Sequence, residues 1–531
     1  MEKLRTYAQS LPITFESWII SFAGIILIRI FFEQFSSFNP KRFVIIDAPT
    51  IIHYGVYYIV TTVGLMIILM FFAKTSLKEV SAICILGSFV IWVAPIVDLI
   101  SSGAGGHLMS YLFVPWQELL SRFITFFGGH ITSGVTLGMQ IETMLGIIFC
   151  YIYTYTVTKN VLRSVGAGIT FFCFLFFTIS MPSFVALFLP QQGAVITSIA
   201  QSITSSHIIQ NNIHPNFTAT NLALFDLAFN KLMTGVNTIL AIIISGLLFF
   251  IGARKKFMAL LKNSRPERIF HFFLLFIFGI SLAHPNWPIN LIDIQTYILA
   301  FVAFIFAWMF SVCQNDIYDE TIDAISNKDR PFISKYLSKD DLQIASKIFL
   351  LFTFLSAYAS NHYTIFFVSL FLFVYYIYSN PPLRLKRFVL LNSFLVSLAC
   401  LAVIMAGFFI INNDKTIIAF PPILVLAIII FFTAVSNIRD IKDIEGDRAD
   451  GIKTIPVLLG AEKSKKIIAG IICFFFLLIP WYFNISSIIF PSIMATILSW
   501  YFITEKDYKE WKGFMVYMVY LIFIISAFLL K

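Results

Sequence analysis

Apolar runs of about 20 residues recur along the whole chain. An α-helix needs about that many residues to cross a membrane, because it rises about 1.5 Å per residue and the hydrocarbon core is about 30 Å thick. Charged residues make up only 12% of the sequence, which leaves little for a water-exposed surface. The pattern predicts an all-α, polytopic helical membrane protein. The first long run, FESWIISFAGIILIRIFF, lacks a following small-residue cleavage site and is interpreted as a retained span rather than a signal peptide.

The most basic segment, residues 254–268, separates two parts of nearly equal length. Nine spans are predicted after it, at residues 269–287, 293–313, 342–358, 363–380, 388–411, 417–436, 466–482, 486–504 and 512–530. Lys and Arg concentrate in the loops after the second, fourth, sixth and eighth of these spans, and the intervening loops contain almost none. The positive-inside rule therefore places the basic loops in the cytoplasm. It also explains the formal net charge of +9 without a nucleic-acid partner.

The first part contains six predicted spans, at residues 15–34, 54–73, 80–99, 141–158, 166–188 and 233–252. The segment VPWQELLSRFITFF is typical of an interfacial amphipathic helix, and residues 190–230, which contain no Lys or Arg, are expected outside the cell. The isolated polar residues of this part show no spacing typical of a metal site or a catalytic triad: Asp98, His107, Glu118, His130 and Glu142. We predict an N-terminal multi-span domain over 1–253, a basic cytoplasmic linker over 254–268 and a second membrane domain over 269–531.

Two groups of carboxylates with matching spacing follow the second and sixth spans of the second part. Asp316, Asp319 and Asp323 are three and then four residues apart, so on a helix that continues the span they project from one face. Asn315 stands one turn before Asp319. The same spacing returns in a second group, which consists of Asp440, Asp443 and Asp447. A single acidic triplet is often an ordinary solvated loop, but its repetition after two spans indicates a site.

Six converging carboxylates require a cation between them. Like charges about 4 Å apart repel by about 4 kcal/mol at an effective dielectric constant near 20. Mg²⁺ takes a few carboxylate ligands and leaves its other positions to water and substrate phosphates. The two acidic groups therefore predict a diphosphate substrate that is held through Mg²⁺.

The loop after the fourth of the nine spans, YSNPPLRLKR, carries Tyr378, Arg384 and Lys386 on the same predicted cytoplasmic side. Two prolines would end the helix and stiffen the turn that presents the cations. Arg binds phosphate oxygens as a fork and Lys binds them as a point charge. Carboxylates for the metal and cations for the anion thus share one membrane face.

At these residues the sequence resembles the UbiA-type intramembrane prenyltransferases. Their motif NDxxDxxxD is matched in full by the group from Asn315 to Asp323, and their motif DxxDxxxD by the group from Asp440 to Asp447. A YSxPPLRLK turn between the two motifs is also the family's arrangement. The resemblance covers about residues 265–531 and extends to no part of the first half, which is expected to be an accessory domain.

The resemblance implies a nine-helix bundle around a cavity open to lipid, in which two Mg²⁺ ions bridge the aspartates to an isoprenyl diphosphate. It assigns one ion to Asn315, Asp316, Asp319 and Asp323, and the other to Asp440, Asp443 and Asp447. The implied substrate-binding residues are Asn315, Arg330, Tyr378, Arg384, Lys386 and Lys453. The implied enzyme transfers an isoprenyl group to a lipophilic or amphipathic acceptor inside a prokaryotic cell membrane, from an active site that faces the cytoplasm.

Three acceptor classes stay open. The EGDR and PPLRLK segments are more similar to the branches that prenylate homogentisate, chlorophyllide or geranylgeranylglyceryl phosphate than to the 4-hydroxybenzoate branch.

Two rival functions are also considered. A membrane lipid-head-group transferase would be expected to carry a DGxxAR-type signature, which the sequence lacks. A non-enzymatic cation transporter would be expected to place its carboxylates in mid-span rather than at span ends beside a basic turn.

Overall fold

A computed structural model describes residues 2–36, 48–102, 111–128, 134–190, 194–206, 222–283, 290–441, 444–449 and 451–530. These residues form helices joined by turns and loops, with no β-strand among them. Fourteen of the helices are long and apolar enough to cross a membrane. The all-α, polytopic membrane fold predicted from the apolar runs is therefore confirmed.

The chain forms two compact units. The first comprises Met1–Arg254 together with Asn290–Gln295, and the second comprises Lys255–Ile289 and Thr296–Lys531. The boundary falls inside the long helix Leu222–Asn263, which has a kink at Ala253. Residues 254–263 of the predicted linker 254–268 therefore belong to this helix. Only Ser264 and Arg265 separate the helix from the next one, which begins at Pro266.

The first unit contains six membrane-length helices among its described residues, as the sequence predicts. Their bounds are Phe15–Gln34, Ala48–Ala73, Leu77–Ser101, Leu137–Thr158, Val161–Ile179 and Leu227–Asn263. The fifth of these helices begins at Val161, about five residues before the predicted start at 166. Asn160 sets this start, since its side chain accepts the backbone N–H of Arg163 and caps the helix. The predicted interfacial segment forms a helix, Trp116–Ile124, in which no residue is buried. Of the predicted external segment 190–230, Pro190 and residues 194–206 and 222–230 are described, and they include the helix Val195–Ser205.

The second unit contains eight membrane-length helices and one shorter apolar helix among its described residues. The long ones are Pro266–Ala283, Leu291–Tyr318, Lys339–Ser360, His362–Ser379, Leu391–Ile411, Ala461–Tyr482, Ser486–Thr504 and Glu510–Leu529. The short one, Pro422–Val435, is 14 residues long, whereas a span of 20 residues was predicted over 417–436. Pro422 explains the difference, since proline favours the first turn of a helix and disrupts a helix interior.

Each acidic motif lies across a break between helices, and this corrects the prediction of one continuous helical face. The helix Leu291–Tyr318 ends between Asp316 and Asp319, and Asp319 then precedes the short helix Glu320–Ser326. In the second motif the helix Asn437–Asp440 ends at the first aspartate, and Ile444–Ala449 carries the third. The carboxylates are thus presented by helix ends and short helices.

Candidate active site

One cavity in the second unit is lined by side chains from both acidic motifs and from the basic turn. Eight of the predicted site residues line it: Asn315, Asp319, Asp323, Arg330, Tyr378, Lys386, Asp440 and Asp447. The cavity wall also includes Arg265, Trp308, Tyr375, Asn392 and Thr454. Residues as far apart in the sequence as Arg265 and Thr454 therefore meet at one place.

Asp316 lies behind this cavity wall and is fully buried, with 0% of its surface exposed. Its Oδ1 accepts hydrogen bonds from Arg265 Nη2 at 2.7 Å and from Arg330 Nη1 at 3.3 Å. Its Oδ2 accepts one from Asn263 Nδ2 at 2.7 Å. The buried carboxylate is thus held by two cations and one amide, which offsets the cost of removing its charge from water.

The other two carboxylates of the first motif are also paired with cations. Asp319 accepts hydrogen bonds from Lys386 and, at 3.0 Å, from Arg384 Nη2. Asp323 accepts one from Arg330. Arg330 therefore bridges the carboxylates of Asp316 and Asp323.

The pKa of Asp323 is raised to about 6, because burial disfavours its charged form and the charges of Asp316 and Asp319 add to this effect. The charge of Arg330 acts in the opposite direction.

The second motif has fewer described contacts. Asp440 Oδ2 accepts a hydrogen bond from Asn392 Nδ2 at 3.2 Å, and Asn392 lies at the start of the almost fully buried helix Leu391–Ile411. Asp447 is buried and lines the cavity. Asp443, the predicted middle ligand, lies outside the described residues. Lys453 is exposed and does not itself line the cavity, although its neighbours Ile452 and Thr454 do. Its backbone N–H donates a hydrogen bond to the carbonyl of Arg387 at 3.4 Å.

Three residues that donate hydrogen bonds to the motif aspartates could not be predicted from the sequence, namely Asn263, Arg265 and Asn392. Arg265 appeared there only as a basic loop residue, and 51 positions separate it from Asp316. Pro266 offered a signal, because it marks a helix start and places Arg265 at the corner before it. No spacing in the sequence connects Asn263 or Asn392 to an acidic motif.

A second cavity in the same unit is predominantly apolar and aromatic. Phe431, Phe432 and Tyr517 contribute to its wall, together with one buried histidine, His271. His271 Nε2 lies 3.1 Å from the hydroxyl of Tyr517. The second unit thus offers a polar cavity with charged walls and a separate space suited to hydrocarbon.

Comparison with known proteins agrees with this arrangement. Residues 272–524 match the UbiA prenyltransferase family. Digeranylgeranylglyceryl phosphate synthase of Methanobrevibacter smithii is 31% identical over 215 residues, which are 38% of this chain and 73% of that protein. The chain belongs to the UbiA prenyltransferase family. The resemblance drawn from the two motifs and the basic turn is thereby confirmed.

The chlorophyll synthases match over a shorter part of their length. Chloroplastic chlorophyll synthase of Arabidopsis thaliana is 30% identical over 167 residues, which are 30% of this chain and 42% of that protein. The chain thus spans about two fifths of the length of the chlorophyll synthases that it matches. A solved structure of a UbiA homologue from Archaeoglobus fulgidus, bound to GPP and Mg²⁺, is 20% identical, with a TM-score of 0.40 over 50% of this chain and 99% of the homologue.

Magnesium is the metal that the resemblance to UbiA enzymes implies, and the donor set of the polar cavity fits it. Aspartate and asparagine oxygens are the hard ligands that Mg²⁺ prefers. No three carboxylate, histidine or cysteine side chains within the described ranges converge closely enough to hold a metal ion. The reason is visible in the first motif, where Arg265, Arg330, Arg384 and Lys386 already supply the cations that the carboxylates require.

Proposed function

We propose that this protein is a Mg²⁺-dependent prenyltransferase. It transfers an isoprenyl group from a polyprenyl diphosphate to an acceptor within the membrane and releases diphosphate. The observation that carries this proposal is the polar cavity, in which carboxylates of both acidic motifs line one wall with Arg330 and Lys386. A diphosphate requires both kinds of group, since cations bind its oxygens and carboxylates bind the metal that accompanies it.

The chain's own residues would divide the work. Asn315, Asp316, Asp319 and Asp323 would hold one Mg²⁺ ion, and Asp440, Asp443 and Asp447 a second. When bound, Mg²⁺ neutralises charge on the diphosphate and makes it a better leaving group. Arg330, Arg384 and Lys386 would turn from the carboxylates to the diphosphate oxygens, while Tyr378 and Trp308 would line the wall beside the substrate.

The apolar cavity would receive hydrocarbon. Its aromatic wall at Phe431, Phe432 and Tyr517 offers low polarity, which favours an isoprenyl chain. The active site is proposed to face the cytoplasm, because both acidic motifs belong to loops rich in Lys and Arg. Three acceptor classes follow from the resemblance and from the names of the relatives: a homogentisate-like phenol, a chlorin and a glycerol-phosphate lipid.

The test uses the purified full-length protein and radiolabelled geranylgeranyl diphosphate, with one acceptor of each class, with and without Mg²⁺. We expect a labelled lipophilic product with one class, and none after chelation of the metal. Asp447→Asn should lower turnover by at least a hundredfold, because it removes a proposed metal ligand. Glu445→Gln is the matched control, since Glu445 lies two residues away, is exposed and does not line the cavity.

Each rival function predicts a different outcome. A lipid-head-group transferase would leave the prenyl donor unused with every acceptor and would consume a lipid carrying a different head group. A cation transporter would give no product with any donor, and its ion flux would depend on the acidic residues. Equal turnover in Asp447→Asn and Glu445→Gln would contradict the assignment of the second motif to the metal.

A further inference from the structure

The first unit contains a charged group inside its membrane-length helices that the proposed prenyl transfer does not use. Arg29, on the helix Phe15–Ser36, is 1% exposed. Its Nη2 lies 2.7 Å from Glu33 Oε1, and its Nη1 lies 2.7 Å from Glu142 Oε2 on the helix Leu137–Thr158. Charged side chains inside a membrane are costly and commonly serve a function.

The charges of this group do not balance. Arg29 neutralises one of its two carboxylate partners, and Glu33 is the more deeply buried of the two. A third carboxylate, Asp98, accepts the backbone N–H of Gly138 at 2.8 Å, at the positive end of the helix Leu137–Thr158. Glu33 and Glu142 both contact the guanidinium group of Arg29, so their charges lie close together. The group formed by Arg29, Glu33 and Glu142 therefore carries one excess negative charge, whereas the charge of Asp98 is stabilised separately by the helix N-terminus.

Glu142 lines a cavity between the helices of the first unit, and Arg29 is the one Lys, Arg or His side chain among the described residues that line it. Two threonine hydroxyls open onto the same cavity, those of Thr62 and Thr143. These residues are 7% and 4% exposed. Neither hydroxyl has a hydrogen-bond partner among the described residues. The cavity therefore presents one carboxylate in excess and two buried threonines whose hydroxyls have no hydrogen-bond partner among the described residues.

The cavity also adjoins a break in a membrane-length helix. Between the α-helices Leu77–Gly87 and Val93–Ser102 the chain forms a 3₁₀ turn, Ser88–Trp92. Ser88 and Ile91 of this turn line the cavity, and the carbonyl of Ile91 accepts a hydrogen bond from Arg29. Irregular backbone at membrane depth is tolerated where it lines a cavity, and broken helices of this kind coordinate monovalent cations in secondary transporters.

We infer that the first unit binds a monovalent metal cation, represented here by Na⁺, in the cavity formed by Glu142, Thr62 and Thr143. Carboxylate and hydroxyl oxygens are hard ligands that suit such an ion. A single positive charge balances the excess of the group formed by Arg29, Glu33 and Glu142. This site is separate in sequence and chemistry from the Asp316 and Asp440 motifs.

The test measures binding of ²²Na⁺ to the purified full-length protein in detergent, in a buffer whose ionic strength is set with choline chloride. We expect saturable binding that unlabelled Na⁺ displaces and choline does not. Thr143→Val, which removes a hydroxyl at constant shape, should weaken the apparent Na⁺ affinity at least tenfold, and Glu142→Gln should abolish binding. Thr156→Val is the matched control, because Thr156 lies on the same helix, donates to the carbonyl of Ile152 and does not line the cavity.

The melting temperature of each variant establishes that the protein remains folded. If Glu142→Gln unfolds because Arg29 loses a partner, Thr62→Val and Thr143→Val decide the question. Absence of saturable binding would overturn the inference, and so would binding by the cavity variants that equals that of Thr156→Val. The first result would leave a proton as the charge that neutralises Glu142, and the second would place the bound Na⁺ at another site. The assay contains neither prenyl donor nor acceptor, so its outcome is independent of the proposed prenyl transfer.

Discussion

Asp316 shows how a single residue of the site depends on partners that are remote in sequence. Both of its oxygens accept hydrogen bonds in a fully buried position, and Asn263, at the end of the helix Leu222–Asn263, supplies one of them. A hydrogen bond to a buried charged group contributes about 1.5–3 kcal/mol, and an unpaired charge costs more. Asn263 is therefore expected to fix the position of a carboxylate that it precedes by 53 residues.

Asn263→Ala is the first prediction. We expect it to lower the melting temperature in detergent and to reduce prenyl transfer about tenfold or more, because one oxygen of Asp316 loses its donor. Fluorescence-monitored unfolding and the radiolabel assay measure the two effects. Lys262→Ala is the control, since Lys262 is the adjacent residue and is exposed. Wild-type stability and turnover in Asn263→Ala would show that Asp316 does not need the amide.

The basic turn supports a second prediction at the residue scale. Lys386 is 6% exposed and contacts Asp319, whereas the neighbouring Arg387 is exposed. Lys386→Met should weaken binding of the diphosphate donor at least tenfold and leave the KM of the acceptor unchanged, because only the donor requires several cationic contacts. Titration with a non-hydrolysable donor analogue measures this affinity.

Arg387→Met should bind the donor as the wild type does, and Lys386→Arg should recover part of the lost affinity by restoring the charge. Equal donor affinity in Lys386→Met and Arg387→Met would move the diphosphate site away from this turn.

The identities of the acidic residues could be predicted from the sequence, because their spacing repeats and their chemistry is specific. Their partners could not. Asn263 and Arg265 reach Asp316 only through the fold of a segment whose composition indicates no more than a cytoplasmic loop. The pair Arg29–Glu142 joins positions 113 residues apart, and in the sequence each appears as an isolated charge. Contacts of this kind depend on how helices pack, which no local pattern records.

At the scale of elements, the helices Pro266–Ala283 and Leu391–Ile411 pack backbone against backbone through two glycines. A Cβ atom at Gly279 would lie 1.9 Å from the carbonyl oxygen of Ile404, and one at Gly407 would lie 2.2 Å from that of Phe276. Small residues at such crossings allow helices to approach closely in membranes. This contact holds the buried helix Leu391–Ile411 in place. Asn392, near the start of this helix, donates a hydrogen bond to Asp440.

Gly279→Ala is the prediction at this scale. Because the added methyl group meets backbone atoms that cannot rotate away, the two helices must separate, and we expect a loss of about 1–3 kcal/mol in stability. Gly470→Ala is the matched control, since Gly470 is helical and a methyl group added there would have no atom within 4 Å. That variant should be neutral or more stable by up to about 1 kcal/mol. Thermal unfolding in detergent compares the two, and an equal effect would contradict close packing at Gly279.

The number of membrane-length helices could be predicted from composition, whereas helix ends that depend on single residues could not. Long apolar runs gave the correct number of membrane-length helices in the first unit, because the requirement for length is general. The short helix Pro422–Val435 and the breaks after Tyr318 and Asp440 were missed. Pro422 marks the start of the short helix, and the other two breaks lie next to motif aspartates. Hydropathy averaged over a whole span does not reveal such local positions.

At the scale of the whole molecule, every proposed residue for prenyl transfer belongs to the second unit, which begins in the chain at Lys255. The segment between Lys255 and Pro266 has a role in that unit, because Asn263 and Arg265 contact Asp316 and the carbonyl of Ser264 accepts the indole N–H of Trp308 at 2.8 Å. The first unit carries none of the proposed prenyl-transfer residues. Its role as an accessory domain remains a prediction.

Two truncations test this division. A protein that begins at Lys255 should insert with the same topology and retain part of its prenyl-transfer activity, since it keeps all three contacts to Asp316 and Trp308. A protein that begins at Pro266 should insert equally well but lose most of its activity, because Arg265 and Asn263 no longer neutralise and hold the buried Asp316. Cysteine accessibility in the predicted cytoplasmic loops verifies insertion, and the radiolabel assay measures turnover.

If the longer protein inserts correctly and is inactive, the first unit contributes to catalysis and the functional division at residue 254 is wrong. If both are equally active, the contacts of Asn263 and Arg265 are dispensable, and the proposed role of this segment is wrong instead.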